Sequence, residues 1–278
     1  MLQAAFLGLL QSLTEIFPLS SKAHILLMQY LFGYKKSNAA YDVMMDCGIL
    51  FALFVFFAKD MVRMLKESPI LIRGLFAQDR SRVFLEFPYA RLLIYIMISS
   101  LITGLVHLTF RDAGHSLGRF QMAVGLTWVL MGLFLFASRR FENGQRNIYE
   151  MNHQDAFVIG LAQGLAVFPG ISRLGAALLT AMMLGMERRE AARYTYLLGV
   201  PYILSAILYG WMNEVPRFFE SDQTALLVSF LVAAAGGVVF LALALRMIKR
   251  GLLFLAGYYC VGMGVFTAFQ ALIKVAFS

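Results

Sequence analysis

The sequence predicts an all-α polytopic membrane protein, an inverted-topology repeat with six full spans and two re-entrant helical hairpins. Three observations predict it. Of 278 residues, 60% are hydrophobic and only 14% charged, against about 25% charged in soluble domains, and the mean hydropathy is +0.72. Several apolar stretches reach the roughly 20 residues a helix needs to cross a bilayer core. Two further apolar regions, far apart in the chain, resemble each other and share a proline break. These features exclude a soluble enzyme, because most of the chain needs lipid as its solvent.

Six segments read as full spans: 39–57, 91–109, 120–138, 194–212, 225–245 and 252–277. Regions 2–31 and 156–186 are interrupted near the middle, by Phe17-Pro18-Leu19-Ser20-Ser21 and Phe168-Pro169-Gly170-Ile171-Ser172. Non-helical backbone at membrane depth survives only when buried in protein or lining a wet cavity. Each region is therefore expected to be a broken hairpin that marks a site; the plainer alternative is a proline kink inside one spanning helix. Residues 1–21 carry no Lys or Arg and hold Gln11, Thr14 and Glu15 within their apolar run, which does not fit a cleavable signal peptide. The mature chain is expected to start near Met1.

The net charge of +8 is explained most cheaply by loops that obey the positive-inside rule. Lys59, Arg63, Lys66, Arg73, Arg80, Arg82 and Arg91 mark one cytoplasmic segment, and Arg139, Arg140 and Arg146 mark a second. Arg188, Arg189 and Arg193, and then Arg246, Lys249 and Arg250, are also basic, whereas the loop 213–224 holds Glu214, Glu220 and Asp222 against Arg217 and should face outward. Threading the spans through these constraints puts both termini outside and lets the second hairpin enter and leave from the cytoplasmic side. Lys35, Lys36, Arg111 and Arg119 do not fit. Cys47 and Cys260 lack metal or redox spacing and read as packed small side chains, while His107, His115 and His153 read as surface or interfacial residues.

The two broken regions form an internal repeat. Gly8, Gln11 and Leu13 recur as Gly160, Gln163 and Leu165; after a one-residue slip, Phe17-Pro18 matches Phe168-Pro169, Ser21-Lys22 matches Ser172-Arg173, and Gly48 matches Gly199. A single membrane domain is thus expected to divide into halves 1–138 and 155–278. The span after the first hairpin runs inward and its counterpart outward, so the copies are inverted. Such architectures place their site between the repeats, near the membrane midplane.

The candidate chemistry sits at the breaks. Gln11 and Glu15, four residues apart, share a helix face just before the first break. A carboxylate in an apolar hairpin is costly unless it meets a cation, a proton or a metal; the structural alternative is an ion pair of Glu15 with Lys22 or Arg173. Ser21 and His24 follow the break at a spacing that lets an imidazole approach a hydroxyl, or else Ser20 caps a helix and His24 packs in the core. The second break reads Pro169-Gly170-Ile171-Ser172-Arg173-Leu174-Gly175, with small residues that let backbone amides approach an anion and an arginine suited to phosphate. One carboxylate, one hydroxyl, one imidazole and one guanidinium make a phosphoryl-transfer site. Asp42 and Asp46 read as capping or ion-pairing groups at a helix start, able to add negative charge.

The Gln-x-x-x-Glu segment running into Phe-Pro-Leu-Ser-Ser-Lys-Ala-His, and the later Pro-Gly-Ile-Ser-Arg followed by Tyr-Leu-Leu-Gly-Val-Pro, resemble the signature regions of the undecaprenyl pyrophosphate phosphatase family, the bacitracin-resistance membrane phosphatases. Length and span pattern agree over nearly the whole chain. The resemblance implies removal of the terminal phosphate of undecaprenyl diphosphate at the outer face of the bacterial plasma membrane, aided by Mg²⁺ or Ca²⁺, to regenerate the carrier lipid of cell-wall synthesis. Carried over by position, Gln11 and Glu15 serve the metal and the diphosphate. Ser21 and His24 join Glu15 as the catalytic set, with Ser21 as nucleophile and His24 as acid/base. Arg173 clamps phosphate, with Ser172, Gly170, Ser20 and Lys22 beside the substrate. The expected partners are a polyprenyl diphosphate lipid and the bilayer, with a homodimer as the candidate assembly and no nucleic acid.

Two departures stand out. The family's second motif usually reads Pro-Gly-x-Ser-Arg-Ser-x-x-Thr, but Leu174 and Ala177 occupy the later hydroxyl positions here. Gln11 leaves Glu15 as the only carboxylate of the first motif, so weaker metal affinity is expected. The competing reading is a carrier or flippase for polyprenyl phosphate or another lipid anion, using the same midplane site. A third, a pseudoenzyme acting as a bacitracin-resistance or scaffold factor, is favoured by no residue.

Overall fold

A computed structural model describes residues 1–32, 39–76, 86–141 and 143–276, with the side chains of residues 32, 39, 72–76, 213–220 and 275 outside the description. The described residues form α-helices with short 3₁₀ turns and contain no strand. In chain order the helices are α1 (Leu2–Ile16), α2 (Ser21–Phe32), α3 (Ala39–Phe76), α4 (Pro88–Leu117), α5 (Gln121–Phe136), α6 (His153–Gly164), α7 (Arg173–Met183), α8 (Arg188–Glu220), α9 (Gln223–Lys249) and α10 (Phe254–Ala276).

Six of them, α3, α4, α5, α8, α9 and α10, are long and apolar enough to cross a membrane, and they are the six segments expected from hydropathy. Their ends differ from expectation. Instead of stopping at residue 57, α3 kinks there, with Phe57 at φ −115, ψ 16, and continues to Phe76 with Pro69 inside it. Lys59, Arg63 and Lys66 therefore stand on a helix rather than a loop. Likewise α8 runs through residues 213–220, expected as loop. Helical backbone satisfies itself, so nothing forces it to stop where the hydrocarbon does. Lys35, Lys36, Arg80 and Arg82 lie outside the described residues, as does the Arg73 side chain.

Both interrupted regions are two helices apiece, not one kinked helix. The first break leaves α1 at Phe17 in an extended conformation, φ −87, ψ 154, and enters α2 through Ser20 at φ 65, the one non-glycine residue with positive φ among those described. In the second, α6 passes through a 3₁₀ turn, Leu165–Val167, before Phe168 turns extended. Gly170 then takes φ 103, and Ser172 caps α7 by accepting from Gly175 N at 3.2 Å.

A break strands carbonyls that no helix satisfies, and here side chains from other helices meet them. Tyr196 Oη donates to Ile16 O at 3.0 Å, Trp128 Nε1 to Leu19 O at 3.0 Å, and Cys260 Sγ to Pro18 O at 3.5 Å. In the second break the Thr127 hydroxyl donates to Pro169 O, and Lys22 Nζ reaches Ala166 O at 3.2 Å. The breaks also hold each other, because Gly170 N donates to Ser20 Oγ at 3.2 Å.

Long helices frame this centre. In close packing, α5 lies on α10, α1 and α3 on α9, α4 on α6, and α3 on α8. The α5–α10 seam runs through Gly125, Gly132, Gly257 and Gly264: a Cβ on Gly132 would stand 2.7 Å from Gly257 O, and one on Gly125 would stand 2.7 Å from Gly264 O. Small residues let helix backbones approach in the absence of a hydrophobic drive between helices. Trp128, fully buried, projects from α5 to the first break.

Gly170→Ala combines a positive φ with a Cβ 2.7 Å from Trp128 N and is expected to cost about 2–4 kcal/mol. It should lower the melting temperature in detergent by several degrees, whereas Gly262→Ala, where a Cβ meets nothing within 4 Å, should leave it unchanged. Differential scanning fluorimetry of the two variants checks this.

Candidate active site

Glu15 ends α1 and Arg173 begins α7, and the meeting of the two breaks brings them together. Arg173 Nη2 lies 2.6 Å from Glu15 Oε1, with the side chains only 11% and 13% exposed. Ser21, the first residue of α2, donates from Oγ to Glu15 Oε2 at 2.8 Å. One carboxylate oxygen thus takes the cation of the second break and the other takes the hydroxyl of the first. Arg173 also lies over the Tyr202 ring, 4.4 Å from its centroid. Gly199 makes room for the guanidinium: a Cβ there would be 3.1 Å from Nη1. Arg173 Nε is buried and has no hydrogen-bond partner among the described residues, so the fork keeps a donor for a further oxygen.

Of the two cations that could have paired with Glu15, Arg173 does so while Lys22 goes to Ala166 O. In the sequence register that aligns the two Phe-Pro breaks, Lys22 falls on Arg173 and Ala166 on Glu15.

Around this cluster lies a small cavity of about 30 Å³, bordered by Glu15, Ser20, Ser21, Ile171, Arg173 and Tyr202. That is room for about one water. A phosphate group is larger than that, so the cavity must widen to admit one. Residues at the starts of both α2 and α7 border the cavity, and helix N-termini favour anions through free amides and the dipole. Leu174, one of the positions where a hydroxyl was expected, lines the cavity too; Ala177, the other, is fully buried.

His24 does not approach Ser21. Its Nδ1 stands 2.9 Å from Ser20 O, its Nε2 is 2.6 Å from Tyr259 Oη, and its ring meets the Trp128 ring edge-on at 4.8 Å. A carbonyl only accepts, so Nδ1 carries the hydrogen and Nε2 accepts from the Tyr259 hydroxyl in the neutral ring. The positive φ of Ser20 is the reason. It turns the Ser20 carbonyl onto the first turn of α2, where the imidazole caps it, while the Ser21 hydroxyl faces α1. His24 thereby braces Ser20, whose Oγ holds Gly170; Ser20 does not cap α2 with its side chain.

Gln11 lies one turn before Glu15 and its Nε2 reaches Asp46 Oδ1 at 3.5 Å. Asp46, read from the sequence as a helix-start group, instead faces α1, whereas Asp42 does sit in the first turn of α3. Among the described residues no group of three or more His, Cys, Asp or Glu could hold a metal ion. Glu15, Gln11 and Asp46 supply hard oxygen donors, which suit Mg²⁺ or Ca²⁺ only where substrate phosphate and water complete the coordination. In that shared manner the residues fit the ion.

Sequence reasoning missed Tyr202, Trp128, Thr127 and Tyr259. Tyr196 and Gly199 fall in the Tyr-Leu-Leu-Gly-Val-Pro segment already singled out, so that motif held a signal for them. The others stand singly in apolar helices, where nothing in the pattern distinguishes them from packing residues.

Residues 4–266 match the family described as bacitracin resistance protein BacA. An undecaprenyl-diphosphatase of Methanosphaera stadtmanae is 31% identical over 272 residues, 96% of each chain. The undecaprenyl-diphosphatase 4 of Bacillus cereus is 28% identical and an undecaprenyl-diphosphatase of Methanobrevibacter smithii 29%, each over 265 residues and 95% of both chains.

Removing one member of a buried ion pair costs about 3–5 kcal/mol, while removing both can be nearly neutral. Glu15→Gln and Arg173→Gln are each expected to lower stability by a few kcal/mol, and the double variant should recover at least about 1 kcal/mol of the summed loss. A double-mutant cycle on unfolding in detergent measures that coupling.

Proposed function

This chain belongs to the bacitracin resistance protein BacA family, and on that premise we propose that it is an integral-membrane undecaprenyl-diphosphate phosphatase. It removes the terminal phosphate of undecaprenyl diphosphate and yields undecaprenyl phosphate for reuse as the cell-wall carrier lipid. The observation that carries the reading is the Ser21–Glu15–Arg173 chain across the two breaks: a hydroxyl on a carboxylate, and that carboxylate held by a guanidinium able to exchange it for phosphate.

In this mechanism the terminal phosphate enters between Glu15 and Arg173 and takes the guanidinium as its partner. Glu15, relieved of its cation, becomes basic enough to accept the Ser21 proton that already points at it. Ser21 Oγ forms a bond to the terminal phosphorus while the bond from that phosphorus to the bridging oxygen breaks, and undecaprenyl phosphate leaves. The departing undecaprenyl phosphate takes that proton from Glu15; the carboxylate so regenerated deprotonates a water, which cleaves the phosphoserine to give inorganic phosphate, and the proton passes from Glu15 to the Ser21 oxygen. A divalent cation held by Glu15 and Gln11 with the diphosphate oxygens would neutralise charge on the leaving phosphate. His24 braces Ser20 and so fixes where α2 begins; Lys22, Gly170 and Ser172 border the anion. Direct attack by water in place of Ser21 is the variant of this scheme.

The finer architecture belongs to the same proposal. We read residues 1–138 and 155–278 as inverted halves with re-entrant hairpins. Three pairings support this: α1 on α9 mirrors α6 on α4, α5 meets its counterpart α10, and Arg173 to Glu15 mirrors Lys22 to Ala166. We read the site as lying toward the outer face of the plasma membrane, as the family resemblance implies. The carrier reading is not favoured: the relatives bear phosphatase names, and a transported anion has no use for a hydroxyl held on a carboxylate.

Purified protein given farnesyl or undecaprenyl diphosphate should release phosphate, and EDTA should suppress the release. Ser21→Ala should lower turnover by about a thousandfold. A colorimetric phosphate assay measures both. Absence of chelator-sensitive release would count against the phosphatase, and a Ser21→Ala protein with parental turnover would remove the hydroxyl from the mechanism.

A further inference from the structure

Beside the reactive cavity, between α4 and α8, lies a much larger cleft of about 650 Å³. Tyr202, whose ring carries Arg173, lines both spaces, so they share a wall. Gln163, at the end of the second hairpin's first helix, also borders the cleft. His107, Arg111 and His115 line it as well, and their four-residue spacing stacks them on one face of α4. None of these three side chains makes a hydrogen bond or ion pair with a described residue. Among the described residues no Asp or Glu lines the cleft, and Asp112, the acid adjacent to Arg111 in sequence, is not one of its lining residues. Leu108, Pro201 and Ala206 supply apolar wall, which strengthens the attraction between a cation and an anion.

Arg111 is also one of the few cations that violate the charge pattern setting the chain's orientation. Arg111 is exposed on α4 and lines a cleft in which no described residue is acidic, so an anion entering the cleft would meet its guanidinium without a competing carboxylate among the described residues. The reactive cavity, with space for about one water, needs adjoining volume through which a phosphate group can come or go.

We propose that this cleft is a second phosphate-binding site, in which Arg111, flanked by His107 and His115, holds the phosphate of a lipid headgroup or free inorganic phosphate beside the reactive cavity. The source of that phosphate rests on the phosphatase reading; the anion chemistry of the cleft does not.

Equilibrium dialysis of the full-length protein in detergent micelles tests the proposal with two probes, inorganic phosphate and farnesyl monophosphate, neither of which a diphosphatase consumes. Arg111→Ala should weaken binding of at least one probe about tenfold, the loss of one charge-assisted hydrogen bond. Arg111→Lys should stay within about threefold of the parent, and Arg119→Ala, outside the cleft, should bind both as the parent does. Weakened farnesyl monophosphate alone identifies a headgroup site, and weakened inorganic phosphate identifies a site for the free ion. Parental affinity for both probes in Arg111→Ala and in His107→Ala overturns the proposal. A chain that binds either probe through Arg111 yet releases no phosphate from a lipid diphosphate would sink the phosphatase and leave this site standing.

Discussion

Hydrocarbon offers no hydrogen bonds, so every carbonyl freed by a broken helix must be met by the protein itself. At the first break those donors are Tyr196, Cys260, Trp128 and His24; at the second they are Thr127 and Lys22. They come from α8, α10, α5 and α2, so the long helices do more than span. They fix the path of two irregular segments, and that path fixes the ends of α1, α2 and α7. Glu15, Ser21 and Arg173 stand at those ends. Their meeting is thus a consequence of backbone satisfaction, and the strained φ of Ser20, costing about 1–3 kcal/mol, is sustained because Gly170 and His24 hold it from two sides.

The ion pair at the centre is a poor investment in stability, since desolvating two charges consumes most of what their attraction returns. It makes better sense as a closed state of a binding site. In the proposed mechanism Arg173 is saturated by an internal carboxylate until an anion with more charge replaces it, and that exchange would free Glu15 to act on the hydroxyl that already points at it. On the same proposal, buried charge, small cavity and neighbouring cleft belong to one arrangement that a phosphate group would open.

Much of this was legible in the sequence because the signals were compositional or covalent. Twenty-residue apolar runs announce spans regardless of partners, and the paired Phe-Pro breaks announced non-helical backbone twice. The Glu15 and Arg173 positions followed from the cost of charge in an apolar setting. Other features were not legible, since they depend on tertiary partners. The spacing of Ser21 and His24 suggested contact on a regular helix, but the turn at Ser20 sent the imidazole to a carbonyl and to Tyr259. Asp46 looked like a helix-start group until α1 packed near enough to offer Gln11. Helices α3 and α8 ran past their expected ends because hydropathy marks where the membrane stops, not where hydrogen bonding does. Arg111 registered only as an exception, and the cleft that gives it meaning is made by two helices distant in the chain.

The central claim is that the two breaks close on a single anion, with Glu15 surrendering Arg173 to it. An experimental structure of the protein bound to a polyprenyl methylenediphosphonate, whose bridging carbon resists cleavage, examines that exchange directly. The account predicts the terminal phosphorus between the breaks, with its oxygens within hydrogen-bonding distance of the Arg173 guanidinium, Ser21 Oγ in line with the bridging carbon, and the Glu15–Arg173 contact opened. A diphosphonate bound elsewhere while Glu15 and Arg173 remain paired would contradict it.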